Sequence, residues 1–443
     1  MNDLLVVTIV TLCFFISVSS LDDAFIDLMA LGISLTPFRS GTGKPAAVPR
    51  TAVFVANWQE EDVIGRMVEG NLARIDIPEV SLFLGVYPND TGTRAVAEAL
   101  AAKYPDRVRV IVNSLPGPTS KGQMLNEMFS QVFAREDAPE LAVLHDSEDV
   151  IDPRSFEVYA RLSKQYDFIQ VPVFSLNRGR GAHVASTYME EFAERHTREM
   201  IVRNALGAAI PSAGVGTCVT KALVRHFLTA RGRVLMPGTV TEDYILGIEA
   251  KRAGFKSTFA AVSAGADEGN DYVATREFFP RDLKASIKQK TRWVYGIDFE
   301  AMHKLGWKGS FWDVYFLIRD RKGAITNLLP PLVFALLLAC LLGYVDFGTM
   351  SRGTDALFQD CLTFNLFMSV IRYASRIGAS YKVYGTLDWF GVLIRWPLSL
   401  YINMVSTWRA WATYLGESEF ATKPIVWSKT AHHLPENFET ATR

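Results

Sequence analysis

LAVLHDSEDVIDP (141–153) runs from five residues suited to a buried strand straight into four polar ones, three of them acids. One acidic loop means little alone, so its meaning depends on what surrounds it. Upstream lie three similar apolar runs, TAVFVA (51–56), SLFLGV (81–86) and RVRVIV (107–112), and FIQVPV (168–173) follows. Helical patterns over 62–74, 93–103, 121–133 and 153–165 separate them. Near-continuous apolar strands alternating with helices predict an α/β fold, a mostly parallel sheet covered on both faces. In such a sheet the ligand lies at the carboxyl ends of the strands.

Acids collect at that edge. Glu60, Glu61 and Asp62 follow the first run, Asp90 closes Pro88-Asn89-Asp90 after the second, and Asp146, Glu148 and Asp149 follow the fourth. A solvated acidic loop explains any single cluster, but three on one edge favour a nucleotide-plus-metal site. No GxGxxG follows the first strand and no GxxxxGK[ST] occurs, which excludes dinucleotide and P-loop chemistry. Asp146 and Glu148 are one residue apart, and a turn there lets both carboxylates meet one hard cation. Mg²⁺ or Mn²⁺ suits such oxygen ligands and shares them with substrate phosphates.

Two later stretches add candidates. PGTVTEDYILGIEAKRAGF (237–255) reads as a helix stopped by Gly254. Thr239 and Glu242 have capping-box spacing, which gives Glu242 a structural alternative. Asp243, at the helix head, is expected to have a lowered pKa and to serve as a base. In KQKTRWVYG (288–296), Gln289, Arg292 and Trp293 share one helix face and suit a diphosphate and a stacked sugar. A basic surface beside a core Trp is the plainer reading of that stretch.

The 443 residues carry 46 Lys+Arg against 47 Asp+Glu, which gives no reason to expect nucleic acid. Four scattered cysteines exclude a disulfide framework and a cysteine-rich zinc site. A mean hydropathy of +0.12 is high for a soluble enzyme, and the apolar excess lies at the ends. Residues 4–21 are uncharged and long enough to span a bilayer; Arg39, Lys44 and Arg50 then place the next domain in the cytoplasm. Residues 325–345 and 356–371 are expected as further spans, and 387–415 as one or two interfacial helices or a fourth span. The stretches 22–35 and 306–318 read as interfacial or as ordinary amphipathic helices.

In this order and spacing the motifs resemble the processive, membrane-embedded family 2 glycosyltransferases, the group of cellulose, hyaluronan and chitin synthases. HDSEDVIDP, PGPTSKGQMLN (116–126), the TEDY helix and RWVYGI (292–297) further resemble the bacteriophage-adsorption glycosyltransferases of the bacterial inner membrane. The resemblance implies a GT-A nucleotide-sugar-binding fold joined to transmembrane and interfacial helices. It divides the chain into an anchor (1–45), a cytoplasmic GT-A domain (46–306), a membrane block (307–420) and a tail (421–443) with a gating loop. It also implies roles. Glu60 and Asp90 contact uridine, with Lys121 and Gly122 near the nucleotide; Asp146 and Glu148 hold Mg²⁺ or Mn²⁺ with Asp149 in support. Asp243 is the base beside Glu242, and Gln289, Arg292 and Trp293 bind diphosphate and acceptor.

The implied activity is inverting transfer from a UDP-sugar to a growing glycan acceptor, processive and coupled to export. The implied setting is multi-pass in the inner membrane, within the lipid bilayer and beside an outer-membrane export or receptor partner. The likeness suggests N-acetylmannosamine, with glucose and N-acetylglucosamine open. Glu148 departs from the usual second Asp by one methylene. Relatives of that branch continue into a cyclic-di-GMP-binding region after the membrane block, and regulation by that dinucleotide is not expected here unless a separate subunit supplies it. Non-processive transfer to a lipid carrier and a catalytically idle membrane scaffold are the competing expectations.

Overall fold

A computed structural model of the chain describes residues 2–34, 47–263, 271–344, 350–416 and 434–435. Arg39, Lys44, His432, His433 and nearly all of the expected gating loop lie outside these residues. The chain opens with α1 (Asn2–Ser34) and enters the sheet through β1 (Thr51–Ala56), α2 (Ile64–Leu72), β2 (Val80–Val86), α3 (Thr91–Lys103) and β3 (Val108–Val112). It continues through α4 (Lys121–Phe133), β4 (Leu141–His145), α5 (Ser155–Leu162), β5 (Phe168–Gln170) and β6 (Val173–Ser175). Next come α6 (His183–Glu194), a π-helical turn (Arg195–Glu199), α7 (Met200–Ala205), β7 (Thr217–Thr220), α8 (Lys221–Arg231) and α9 (Glu242–Arg252). After β8 (Ser257–Phe259) and β9 (Thr275–Glu277), α10 (Leu283–Val294) and a second π turn (Tyr295–Glu300) lead to α11 (Ala301–Leu305). The chain then forms α12 (Phe311–Arg321), α13 (Gly323–Thr326), α14 (Leu329–Leu341), α15 (Arg352–Tyr384) and α16 (Trp389–Gly416).

The main sheet has seven strands in the order β3-β2-β1-β4-β7-β5-β8. β1 pairs in parallel with both β2 and β4, so the chain order reverses at β1 and opens a crevice at the strand ends there. Both faces are covered, which is why β1 and β4 are buried at every residue. Phe54, Met128, Phe129 and Leu223 fill one core and Val55, Met67, Leu82 and Phe156 the other.

The expected mostly parallel sheet is present, with two differences of detail. FIQVPV is not one strand: Pro172, which has no N–H to donate, separates β5 from β6, and β6 pairs with β9 in a small second sheet. β7, a four-residue run without a clear period, inserts antiparallel between β4 and β5. Its insertion depends on long-range pairing that local patterning does not encode.

The apolar ends also differ from expectation. Residues 4–21 and 22–34 form one continuous helix rather than an anchor and a separate amphipathic piece. Among the described residues, its Leu4–Ile33 stretch alone is long and apolar enough to cross a membrane, by length and composition. The 325–345 block is broken: α13 ends at Thr326, and Pro330 and Pro331 open the thirteen-residue α14. At 1.5 Å per residue α14 is about 20 Å long, short of a ~30 Å hydrocarbon core. The expected 356–371 span is part of the 33-residue α15, which runs on through Arg372 and Arg376. The 387–415 stretch is a single helix with Pro397 inside it. Its buried residues include Arg395, Ser399, Ser406 and Thr407, whereas Phe390, Leu393, Ile394 and Trp408 are exposed. That inverts the amphipathicity of a helix facing water.

Candidate active site

The acid-bearing turn is fixed from below. His145 Nδ1 and the backbone N–H of Asp146 meet Asp149 Oδ2 at 2.7 and 3.0 Å, with His145 and Asp149 fully buried. Asn71 of α2 donates to the Asp149 carbonyl and accepts from the Ile151 N–H, at 2.9 Å each. The Asp149 carboxylate thus holds the turn that carries Asp146. Val150 and Arg276 exchange backbone hydrogen bonds, which brings β9 and its Glu277 to the same turn.

Lys121 stands at the head of α4, where the Ser120 hydroxyl caps the helix. Its ammonium forms an ion pair with Asp146 and donates to the Gly214 carbonyl at 3.5 Å. Burial pulls the ammonium down, but Asp146, Asp243 and Glu242 outweigh it and hold Lys121 above its ordinary range. A Cβ at Gly122 would stand 2.7 Å from Glu242 Cγ, so this glycine lets the heads of α4 and α9 meet. Substituted, it would force the Glu242 side chain to shift.

α9 corrects two expectations. Thr239 and Glu242 form no capping box: Thr241 is the N-cap, without a side-chain bond, and Thr239 Oγ1 donates to the Met236 carbonyl. The helix begins too late for Thr239 to reach it. Nor is the Asp243 pKa lowered. Burial raises it above the ordinary carboxylate value, and Lys121 and the Tyr244 N–H offset this only in part. A helix-terminal charge effect fades where desolvation dominates. Burial and the adjacent Asp243 likewise push Glu242 up to about 7.

Arg292 of α10 is exposed, and its charge reaches both Glu242 and Asp243, lowering each. Gln289 Oε1 is buried without a hydrogen-bond partner among the described residues. Trp293 packs edge-on against Tyr188 and Phe279, at 6.1 and 6.2 Å between ring centroids. Glu60 and Asp90 form a second group at the ends of β1 and β2. Asp90 caps α3 through the Thr93 N–H at 3.3 Å and accepts from the Gln59 N–H at 2.6 Å; the Glu60 N–H donates to Thr93 Oγ1 at 2.8 Å.

Two features escaped the sequence reading. Glu277 is held well above its ordinary range by burial and by Asp149, Glu148 and Asp146, with Lys121 opposing. An acid within TRE carries no local signal of that neighbourhood. The loop SAGVGT (212–217) is the other. Gln170 Oε1 accepts from the Ala213 N–H at 2.9 Å and Thr217 Oγ1 at 2.7 Å, and Ser212 Oγ accepts from the Gly214 N–H at 2.9 Å. Gly214 has φ +83°, and any Cβ there would strike Asp243 Oδ2. The paired glycines were the signal available.

Among the described residues no three His, Cys, Asp or Glu side chains form a ready-made metal cage. The donor chemistry still fits a hard divalent cation. Asp146 and Glu148 offer carboxylate oxygens of the kind such an ion takes, Lys121 pairs with Asp146, and the ion normally completes its shell with phosphate oxygens.

Residues 49–296 match the family described as "Glycosyltransferase like family 2". Bacteriophage adsorption protein B of Escherichia coli is 31% identical over 465 aligned positions, covering 96% of this chain. Bacteriophage N4 adsorption protein B from a second Escherichia coli strain matches to the same extent, and the chain spans 62% of the length of each. A mannosyltransferase from Pyrobaculum calidifontis, solved with GDP-mannose and Mn²⁺, superposes with a TM-score of 0.55. At 13% identity over 84% of this chain and 98% of that one, the superposition establishes a shared GT-A fold.

Proposed function

The chain belongs to glycosyltransferase-like family 2, and from that premise we propose that it transfers a sugar from a UDP-sugar to a growing glycan, with inversion. The reading is carried by one observation: Lys121, Asp146, Glu242, Asp243 and Arg292 come from four separate elements and share one electrostatic neighbourhood.

In this mechanism Asp243 accepts the proton of the acceptor hydroxyl while that oxygen attacks the anomeric carbon. The bond from that carbon to the phosphate oxygen breaks, and UDP departs with the electron pair. One in-line displacement inverts the centre without a covalent enzyme intermediate. Asp146 and Glu148 would hold Mg²⁺ or Mn²⁺, which supplies charge neutralisation for the departing diphosphate. Lys121 and Arg292 add positive charge to the same diphosphate, and Gln289 offers its amide. Glu60 and Asp90 would contact uridine, and Trp293 the acceptor end. Lys121 also lowers the pKa of Asp243, favouring the ionised base.

The proposal extends to the setting. α1 anchors the protein in a bacterial inner membrane with the catalytic domain cytoplasmic, and the outward apolar faces of α14, α15 and α16 meet lipid. Processive elongation and export across that bilayer, to an outer-membrane partner, complete the proposal.

The test uses the full chain in lipid nanodiscs with a panel of UDP-sugars, and GDP-mannose as the competing donor. Release of UDP with a lengthening glycan is the expected result, stopped by EDTA and restored by Mn²⁺. Nucleotide release only from GDP-mannose would refute the donor class, and activity indifferent to chelation would refute the metal role of Asp146 and Glu148.

A further inference from the structure

α10 carries Gln289 together with Arg292, whose charge reaches the site, and a different part of its surface holds Lys290, which is 5% exposed. Successive helical residues are about 100° apart, so Lys290 points well away from both. Its ammonium donates to Glu191 Oε2 of α6 at 2.5 Å and to Asn403 Oδ1 of α16 at 2.8 Å. It also lies 4.9 Å from the centre of the Tyr188 ring. Glu191 is held from the far side, accepting from Ser399 Oγ at 2.7 Å and Asn403 Nδ2 at 3.3 Å. Tyr188 shares a hydrogen bond with Ser286 of α10 at 3.0 Å and touches Trp293 edge-on. The charged end of Lys290 is therefore seated where α6, α10 and α16 meet.

A buried ammonium is costly unless paired, and this one is paired in a fixed geometry. We propose that Lys290 is a positioning residue: its seat between α6 and α16 fixes the roll of α10 and so aims Gln289 and Arg292 at the donor diphosphate. A roll of about 15° at a side-chain radius of about 6 Å moves a tip by roughly 1.5 Å. Displacement on the order of 1 Å can cost about 100-fold in a positioned reaction. Through Asn403 the same seat ties an outward-facing apolar helix to the diphosphate site. The inference rests on the function proposed above.

The experiment measures UDP affinity with Mn²⁺ by calorimetry, donor KM and kcat, and the melting temperature, all on the full chain in nanodiscs. Lys290→Met keeps the stem and removes the charge; it is expected to raise the UDP Kd and donor KM about tenfold, with Lys290→Arg restoring most of the loss. A purely structural lysine would lower the melting temperature while the folded Lys290→Met protein bound UDP as the wild type does, and that result overturns the proposal. Should Lys290→Met fail to fold, Asn403→Ala removes one anchor only and is expected to raise the UDP Kd about threefold. An unchanged Kd in that variant would overturn it equally. Absence of UDP binding by the wild type refutes the donor assignment itself, a distinct outcome.

Discussion

Two groups of acids, one beside α1 and one at the strand ends, are held in opposite ways. Next to α1, Asp22 and Asp23 meet Lys322 at 2.6 and 2.7 Å, and Asp27 meets Arg198 at 3.1 Å. Glu194 meets Arg372 at 2.7 Å and Glu199 meets Arg319 at 2.9 Å, around a polar cavity of about 170 Å³. Although burial disfavours their charge, Arg372 and Arg376 lower Glu194, and Arg319 with its neighbours lowers Glu199 to about 2. At the strand ends Glu242, Asp243 and Glu277 are all raised, because burial and like charges prevail over Lys121 and Arg292. The contrast separates carboxylates that hold the fold from carboxylates left with unmet charge. Glu190 departs from the pattern: burial lifts it to about 7 even beside Arg395.

Breaking the comparison at its functional end gives the largest effect. Asp243→Asn is expected to lower transfer by about 10²–10⁴-fold, the range of a lost general base, while UDP affinity stays at the wild-type value. Wild-type turnover in this variant would move Asp243 into the structural group. At the other end, Arg203 and Asp320 form a pair at 2.8 Å with side chains no more than 1% exposed. Arg203→Met is expected to cost about 3–5 kcal/mol in unfolding free energy, with the folded fraction keeping its donor KM. Denaturant titration beside steady-state kinetics measures both, and an altered KM with unchanged stability would contradict the division.

The smallest effect sharpens the functional end. Transfer requires ionised Asp243, and its raised pKa sets the acid limb of kcat above the ordinary carboxylate range, with activity lost as pH falls through it. The like charge of Asp146 contributes to that shift and the positive charge of Lys121 opposes it. Lys121→Met should therefore move the acid limb toward higher pH, since the opposing positive charge has gone. A limb that stayed fixed, or moved downward, would remove Lys121 from the electrostatics of the base.

Much of this was legible in the chain itself. β1 to β4 were readable because a strand buried on both faces needs a near-continuous apolar run, as in TAVFVA and LAVLH. Acids after those runs marked the strand ends because the parallel connection sends each loop to the same edge. HDSEDVIDP and TEDY could be assigned to one site, since their residue types suit a cation and a base. The apolar stretch of α1 was readable because it combines length and apolarity in one run.

Other features needed the third dimension. Glu277 and the 212–217 loop have no local signature, because their neighbours are brought by strand pairing across long separations. The direction of the Asp243 pKa was misread because sequence shows a helix head but not the burial around it. The inward polar face of α16 was likewise hidden, since the partners of Arg395 and Asn403 lie some two hundred and one hundred residues away, on α6 and α10. The sequence by itself determined which chemistries were present and on which edge of the sheet they would lie. Only the tertiary structure decided which charges were neutralised and which were left to a ligand, because burial and pairing depend on distances that no spacing along the chain records.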